Sequence, residues 1–311
     1  MAGTVPFPRG IFAPMCTPFV DGEVDLLRAR RHAVELVRQG SHGILVAGSG
    51  GEFIAMSLEE RKRLAEAVVD ELGGRAPVNV CVATYGTAEA VELARHAQAI
   101  GADAVMVIAP YFMRPHREAV RRHFSAIREA IDLPFMLYNT PSTSGVDITL
   151  DDAARLVDEG IFQAFKQSFP DSHHVRDAKA MLGDRAAVFC GHDGSAFEAL
   201  VMGADGWTSV LPTVCTARAR RLWDGVQANE PVHELAAQWR EVLPLVRLVF
   251  FESGHVAGAP HWLEIYKTAA NMVGHDVGAP RPPFELLKGE DEARLRGILS
   301  KLDVLSHAVA D

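Results

Sequence analysis

Cysteine is scarce in this chain. The four in 311 residues, Cys16, Cys81, Cys190 and Cys215, lie far apart and form no C-x-x-C pair. That spacing argues against a disulfide framework or a cysteine metal cage, and it predicts small reduced core residues in a cytoplasmic protein. No apolar run approaches the length of about 18 residues that marks a membrane helix. The start, M-A-G-T-V-P-F-P-R-G, has no apolar stretch of the secretory kind. Neither a membrane span nor a signal peptide is expected. Positive charge is also short. Lys and Arg total 31 against 40 Asp and Glu, a net charge of −9, which argues against nucleic acid or an anionic membrane as partner. Several catalytic signatures are missing. There is no G-x-x-x-x-G-K-[ST] phosphate loop, and no H-E-x-x-H among the thirteen histidines. Gly48-Ser49-Gly50 lacks the glycine two places before the serine that G-x-S-x-G requires. No metal and no cofactor are expected.

What the chain has is a large apolar fraction, 48%, arranged in alternating strand-like and helix-like segments. Strands are expected at 11–19, 43–47, 78–83, 104–108, 134–139, 161–168, 187–190 and 206–210. Helices are expected between them, the first over 25–39 with Leu27, Val34 and Val37 inward. Ser57 with Glu60 three residues on forms a capping box that opens the next helix. Most strands are continuous apolar runs, the pattern of a parallel sheet covered on both faces. Eight β/α units in about 215 residues predict an α/β fold of the (β/α)8 TIM-barrel type. The barrel is expected over residues 1–216, with a C-terminal helical extension over 217–311. A doubly wound sheet is the rival, but T-P-F-V-D-G-E after the first strand is no dinucleotide turn.

In such a barrel the active groups sit at the C-terminal strand ends. Those ends carry G-S-G-G-E at 48–52, Tyr111 and Phe112, Tyr138, Lys166, His192 with Asp193, and Val210. A lysine at the end of a buried strand is costly as a cation, and a neutral amine is the nucleophile that Schiff-base chemistry requires. An ordinary strand-end lysine reaching water is the plainer alternative. Tyr138 is placed to move protons near such an amine; a core-capping tyrosine is the alternative. The glycine loop can turn backbone N–H groups toward a carboxylate, with Ser49 adding a hydroxyl, or can be a tight turn. His192 and Asp193 are candidates to grip a polar substrate, with a helix N-cap at Asp193 as the other role.

These residues carry a resemblance. G-I-F-A-P-M-C-T-P-F from Gly10, G-S-G-G-E at 48–52, G-A-D-A-V-M-V-I-A-P-Y at 101–111, Y-N-T-P-S-T-S-G at 138–145, Lys166, G-A-D-G-W at 203–207 and V-G-A-P-R-P-P ending at Pro283 together resemble the dihydrodipicolinate synthase / N-acetylneuraminate lyase family. The resemblance implies a barrel with C-terminal helices, assembled as a homotetramer. It implies that Lys166 condenses with a 2-oxo acid and that Tyr138 handles protons. Ser49 and the loop amides around Gly50 would hold the carboxylate, with Gly191 and Val210 lining the pocket by their backbones.

The chain also departs from that pattern. Thr143 stands where the synthase has a carboxylate-binding arginine. Gly50 replaces a second loop hydroxyl, and Phe112 replaces the tyrosine that reaches a neighbouring subunit's site. Asp193 is followed by Gly194 where the sialic acid lyase has glutamate. Two of three proton-relay members are thereby absent, leaving Tyr138. The expected activity is a Schiff-base lyase acting on pyruvate or a related 2-oxo acid. His192, Asp193 and Thr143 are expected to meet the variable part of the substrate. The synthase with an atypical site and a catalytically silent 2-oxo-acid binder stand as alternatives.

Overall fold

A computed structural model of the protein describes residues 6–254 and 258–305. The first five residues, part of the start considered above, lie outside them. Eight parallel strands close on themselves: β1 (Gly10–Pro14), β2 (Gly43–Val46), β3 (Val78–Cys81), β4 (Ala104–Ile108), β5 (Phe135–Asn139), β6 (Ala164–Gln167), β7 (Ala187–Cys190) and β8 (Gly206–Trp207). Each pairs with the next, and β8 returns to β1 with Trp207 opposite Ile11. Every residue of these strands is buried, as a parallel sheet under helices requires.

The helices α1 (Leu26–Arg38), α2 (Leu58–Leu72), α3 (Thr87–Ala99), α4 (Arg117–Arg128), α5 (Leu150–Asp158), α6 (His173–Leu182), α7 (Ala196–Val201) and α8 (Thr216–Gln227) follow the strands in turn. The fold is a (β/α)8 barrel. Three further helices come after it: α9 (Val232–Arg247), α10 (Trp262–Met272) and α11 (Gly289–Lys301). The expected boundary at 216 falls on the first residue of α8. Among the described residues no helix is long and apolar enough to cross a membrane.

Local chemistry sets the helix starts. Asp25, Ser57 and Thr149 each accept a backbone N–H of the first turn that follows, and Ser57 and Glu60 form the full capping box. Three sequence expectations need correction. The run at 11–19 is broken: β1 stops at Pro14, and Phe19–Val20 pairs antiparallel with Glu23–Val24. Pro14 and Pro18 have no N–H with which to continue a ladder. The ladders of β6 and β8 are also shorter than expected, ending at Gln167 and Trp207. Leu27 is 58% exposed; the inward stripe of α1 is Ala29, His32, Ala33 and Leu36, spaced i, i+3, i+4, i+7. Val34 and Val37 flank it half-buried.

Candidate active site

β5 and β6 are neighbours in a register that sets Tyr138 beside Lys166. Paired residues on parallel strands share a face, so both side chains enter the barrel at its C-terminal end. Lys166 is 5% exposed and Tyr138 9%. The lysine Nζ lies 3.8 Å from the centre of the tyrosine ring, a cation–π approach. Gly191, after β7, clears the space they share. A Cβ there would stand 2.6 Å from Lys166 Cε and 2.3 Å from Ser168 Oγ.

Ser168 is a site residue the sequence reading passed over. Its hydroxyl donates to the Gly191 carbonyl at 2.7 Å and stands 3.4 Å from Tyr138 Oη. Burial pushes the Tyr138 phenol up, but the facing Lys166 ammonium and the Ser168 and Thr140 hydroxyls outweigh it. The phenol ends below its ordinary value. Thr140 is buried, and its hydroxyl lies 3.4 Å from that of Thr143, which is exposed. Ser168, Tyr138, Thr140 and Thr143 therefore form a line of hydroxyls from the lysine to the surface. Thr143, expected to meet substrate, is the outer end of that line.

The loop after β2 is held under strain. Ala47 and Glu52 both take left-handed backbone angles, φ 53 and 58, which cost free energy and concentrate at functional sites. The Ser49 carbonyl accepts from Glu52 N and the Gly48 carbonyl from Gly51 N, each at 3.0 Å. The amides of Ser49 and Gly50 have no partner among the described residues, so they are free for an anion. Gly50 has a reason of its own: a Cβ there would lie 2.6 Å from the ring of Tyr266. That buried α10 tyrosine, bonded to the Pro14 carbonyl, fills the space a second loop side chain would need. Glu52 anchors the loop. Its carboxylate meets Lys267 Nζ at 2.8 Å, with both side chains almost fully buried, and accepts from Arg281 N at 2.9 Å.

His192 lies half-buried at the rim, its Nδ1 accepting from Gly194 N at 3.0 Å. This leaves the proton of the neutral ring on Nε2. Burial pushes His192 down to about 4, so the neutral form dominates at neutral pH. Its ring sits 4.4 Å from that of Phe250 and 6.0 Å from that of Phe251. Both phenylalanines come from a π-helical turn, Leu248–Glu252, that ends α9; such turns recur at functional sites. A Cβ on Gly194 would meet Phe251 Cζ at 2.7 Å. An aromatic ring thus occupies the side where the resemblance places a glutamate.

Asp193 goes elsewhere, contrary to expectation. It is 1% exposed, and its carboxylate accepts from Trp207 Nε1 at 2.9 Å and Leu211 N at 3.0 Å. It braces the chain after β8, with both carboxylate oxygens engaged inside the fold. The expected N-cap role is also displaced, because His192 caps the turn that Asp193 begins. The Val210 carbonyl accepts from Thr213 N and Val214 N, each at 3.0 Å, and so is already engaged. Phe112 is 88% exposed with φ 74, and it makes no approach to Lys166 within its own chain. Among the described residues one trio could hold a metal: Asp171, His173 and His174 have donor atoms within 4.8 Å of one another.

The sequence profile of the Dihydrodipicolinate synthetase family matches residues 7–302. The chain is 36% identical over 299 residues to 4-hydroxy-tetrahydrodipicolinate synthase of Synechococcus sp. (strain CC9902), covering 96% of each chain. Solved structures that share the fold include two with pyruvate bound. The chloride-inhibited dihydrodipicolinate synthase of Acinetobacter baumannii, complexed with pyruvate, has TM-score 0.87 and 26% identity, over 96% of this chain and 100% of that one. YagE, a prophage protein of E. coli K12 also in complex with pyruvate, has TM-score 0.88 and 26% identity, over 95% and 99%. With a lysine–tyrosine pair at the barrel mouth and a match across nearly its whole length, this chain belongs to the dihydrodipicolinate synthetase family.

Proposed function

We propose that the protein is a cofactor-independent Schiff-base lyase acting on pyruvate or another short 2-oxo acid. The observation that carries this reading is the Lys166 amine, buried and 3.8 Å over the Tyr138 ring. The amine attacks the keto carbon, and Tyr138 protonates the oxygen, which leaves as water. The resulting iminium draws electrons from the neighbouring carbon. A C–C bond beyond that carbon then breaks as Tyr138 takes the proton of the departing hydroxyl. Protonation and hydrolysis of the enamine release the oxo acid and restore the lysine. Condensation is the same path reversed. The Ser49 hydroxyl and the free amides of Ser49 and Gly50 receive the carboxylate. Ser168, Thr140 and Thr143 supply a route for protons where Gly50 and Phe112 leave none.

The far end of the substrate faces His192, Phe250 and Phe251. That surface has one Nε2–H donor and no charge, so it suits an apolar group carrying one oxygen. A second copy of the chain fits the exposed side chains of Ile54, Tyr85, Phe112 and Met113, the start of the expected tetramer. Four free, buried cysteines agree with a cytoplasmic setting.

A second reading is the synthase itself, favoured by the activity named for the Synechococcus relative. Against it, Thr143 supplies no bidentate grip for a second carboxylate. Turnover of pyruvate with aspartate semialdehyde at a rate equal to the best aldol substrate would select it. The direct test is borohydride reduction in the presence of pyruvate, followed by peptide mapping. A reduced pyruvate adduct on Lys166, absent from Lys166→Ala, is expected. Tight pyruvate binding with no adduct would make the protein a silent binder.

A further inference from the structure

An arginine-lined cleft of about 240 Å³ lies between α4 and α5, outside the barrel. Arg114, Arg117, Arg121 and Arg155 line it, against the carboxylates of Asp147 and Asp152. In a chain with nine more acidic than basic residues, this concentration of guanidinium is unusual. The two acids compensate only part of it, four guanidinium groups against two carboxylates. Asp152 is already occupied by Arg117 at 2.9 Å, Arg155 at 3.2 Å and the Thr149 hydroxyl at 2.9 Å. Asp147 accepts from Asn139 Nδ2 at 2.9 Å. Arg121 pairs outward with Glu118 and Glu159. Arg114 has no ion-pair partner among the described residues.

The backbone holds Arg114 in place at a cost. It takes φ 46, two residues after Phe112 at φ 74. Both are strained angles for residues with a side chain. Its side chain lies across Gly145, where a Cβ would come within 3.1 Å of Arg114 Cγ and Cδ. Gly145 itself sits at φ 71. Strain on one side and a missing side chain on the other present an unpaired guanidinium to the cleft.

We infer that this cleft binds a small dianion, a dicarboxylate or a phosphate, with Arg114 as its principal ligand and Arg117 and Arg155 as flanking charges. Guanidinium groups take both anions through paired N–H donors. The site has a physical link to the lysine. Asn139, which holds Asp147 in the cleft wall, also bonds Gln167 at 3.0 Å, and these two residues follow Tyr138 and Lys166. An occupied cleft fixes that wall behind the catalytic pair. This second part rests on the reading of Lys166 given above; the binding itself does not.

The test is calorimetric titration of the full chain with succinate and, separately, inorganic phosphate at constant ionic strength. Saturable binding at one site per chain is expected. Arg114→Gln should raise Kd about tenfold or more, the loss of roughly one charge-assisted pair. Arg38→Gln, on an exposed pair with Glu35 in α1 on the other side of the barrel, should change nothing. Arg155→Gln, which removes a flanking charge, serves as a second variant and should raise Kd by a smaller factor; melting curves accompany all three. Preference for succinate or phosphate separates the two sources. Binding of neither anion, or binding that survives Arg114→Gln, overturns the site. Succinate held at the barrel mouth would survive in that way. The link is read by the borohydride trapping rate with and without the preferred anion. An unchanged rate overturns the link and leaves the binding result standing.

Discussion

Gly191→Ala isolates one geometric claim, that the reacting amine stands where it does because position 191 has no side chain. The backbone there is not in the left-handed region, so alanine is conformationally acceptable and the effect is steric. The added Cβ would lie 2.6 Å from Lys166 Cε and 2.3 Å from Ser168 Oγ. Carbon atoms in contact prefer about 3.5–4.0 Å, so Lys166 must retreat by about 1 Å. A displacement of that size costs about 10²-fold in rate, or roughly 2.7 kcal/mol of barrel-mouth geometry. Overpacking adds about 1–3 kcal/mol of lost stability, which leaves a folded enzyme to assay. Kinetics of 2-oxo acid turnover should show kcat/KM down by about 10², and the borohydride adduct should form correspondingly slowly. Adding Ser168→Ala removes the closer clash but not the one with Lys166, so it should restore stability more than rate. A Gly191→Ala enzyme that is folded and within threefold of the parent in both assays would refute the placement of the amine.

Other perturbations follow from the same geometry. Tyr138→Phe should slow turnover by about 10²–10⁴, the size of a general acid–base contribution, while leaving pyruvate affinity close to normal; an undiminished kcat would remove the tyrosine from the proton path. Glu52→Gln leaves Lys267 as an uncompensated buried cation. It should cost about 3–5 kcal/mol in urea denaturation and raise KM for the oxo acid as the loop loosens. His123 and His192 are both pushed down to about 4, chiefly by burial. An unfolded histidine takes its proton near pH 6.5, so between 6.5 and 4 the unfolded chain binds more protons. Stability is full above 6.5 and falls as pH drops toward 4. His123→Phe should flatten that slope in urea midpoints, and an unchanged slope would exclude it as a contributor. EDTA should leave turnover intact, because the amine chemistry calls on no metal. A loss restored by zinc would move attention to Asp171, His173 and His174.

The sequence by itself determined the barrel. Apolar strands and amphipathic helices alternate with chemistry that is local: the Ser57–Glu60 box, Asp25 and Thr149 at helix starts, prolines that stop strands. Local signals survive any tertiary arrangement, so the element order and the placing of Tyr138 and Lys166 at strand ends were legible. The inward stripe of α1 was less so, because Leu27 and Leu36 look alike in sequence, and only packing against the sheet separates them.

Tertiary structure decided everything that depends on two distant segments meeting. It paired Tyr138 with Lys166 through strand register. It brought Ser168 to the phenol and turned Asp193 toward Trp207. It filled the space beside Gly50 with Tyr266 from a helix more than 200 residues later. Gly194, too, became intelligible once Phe251 was found against it. A glycine in a sequence says that a side chain is absent, and the fold alone says what stands in its place.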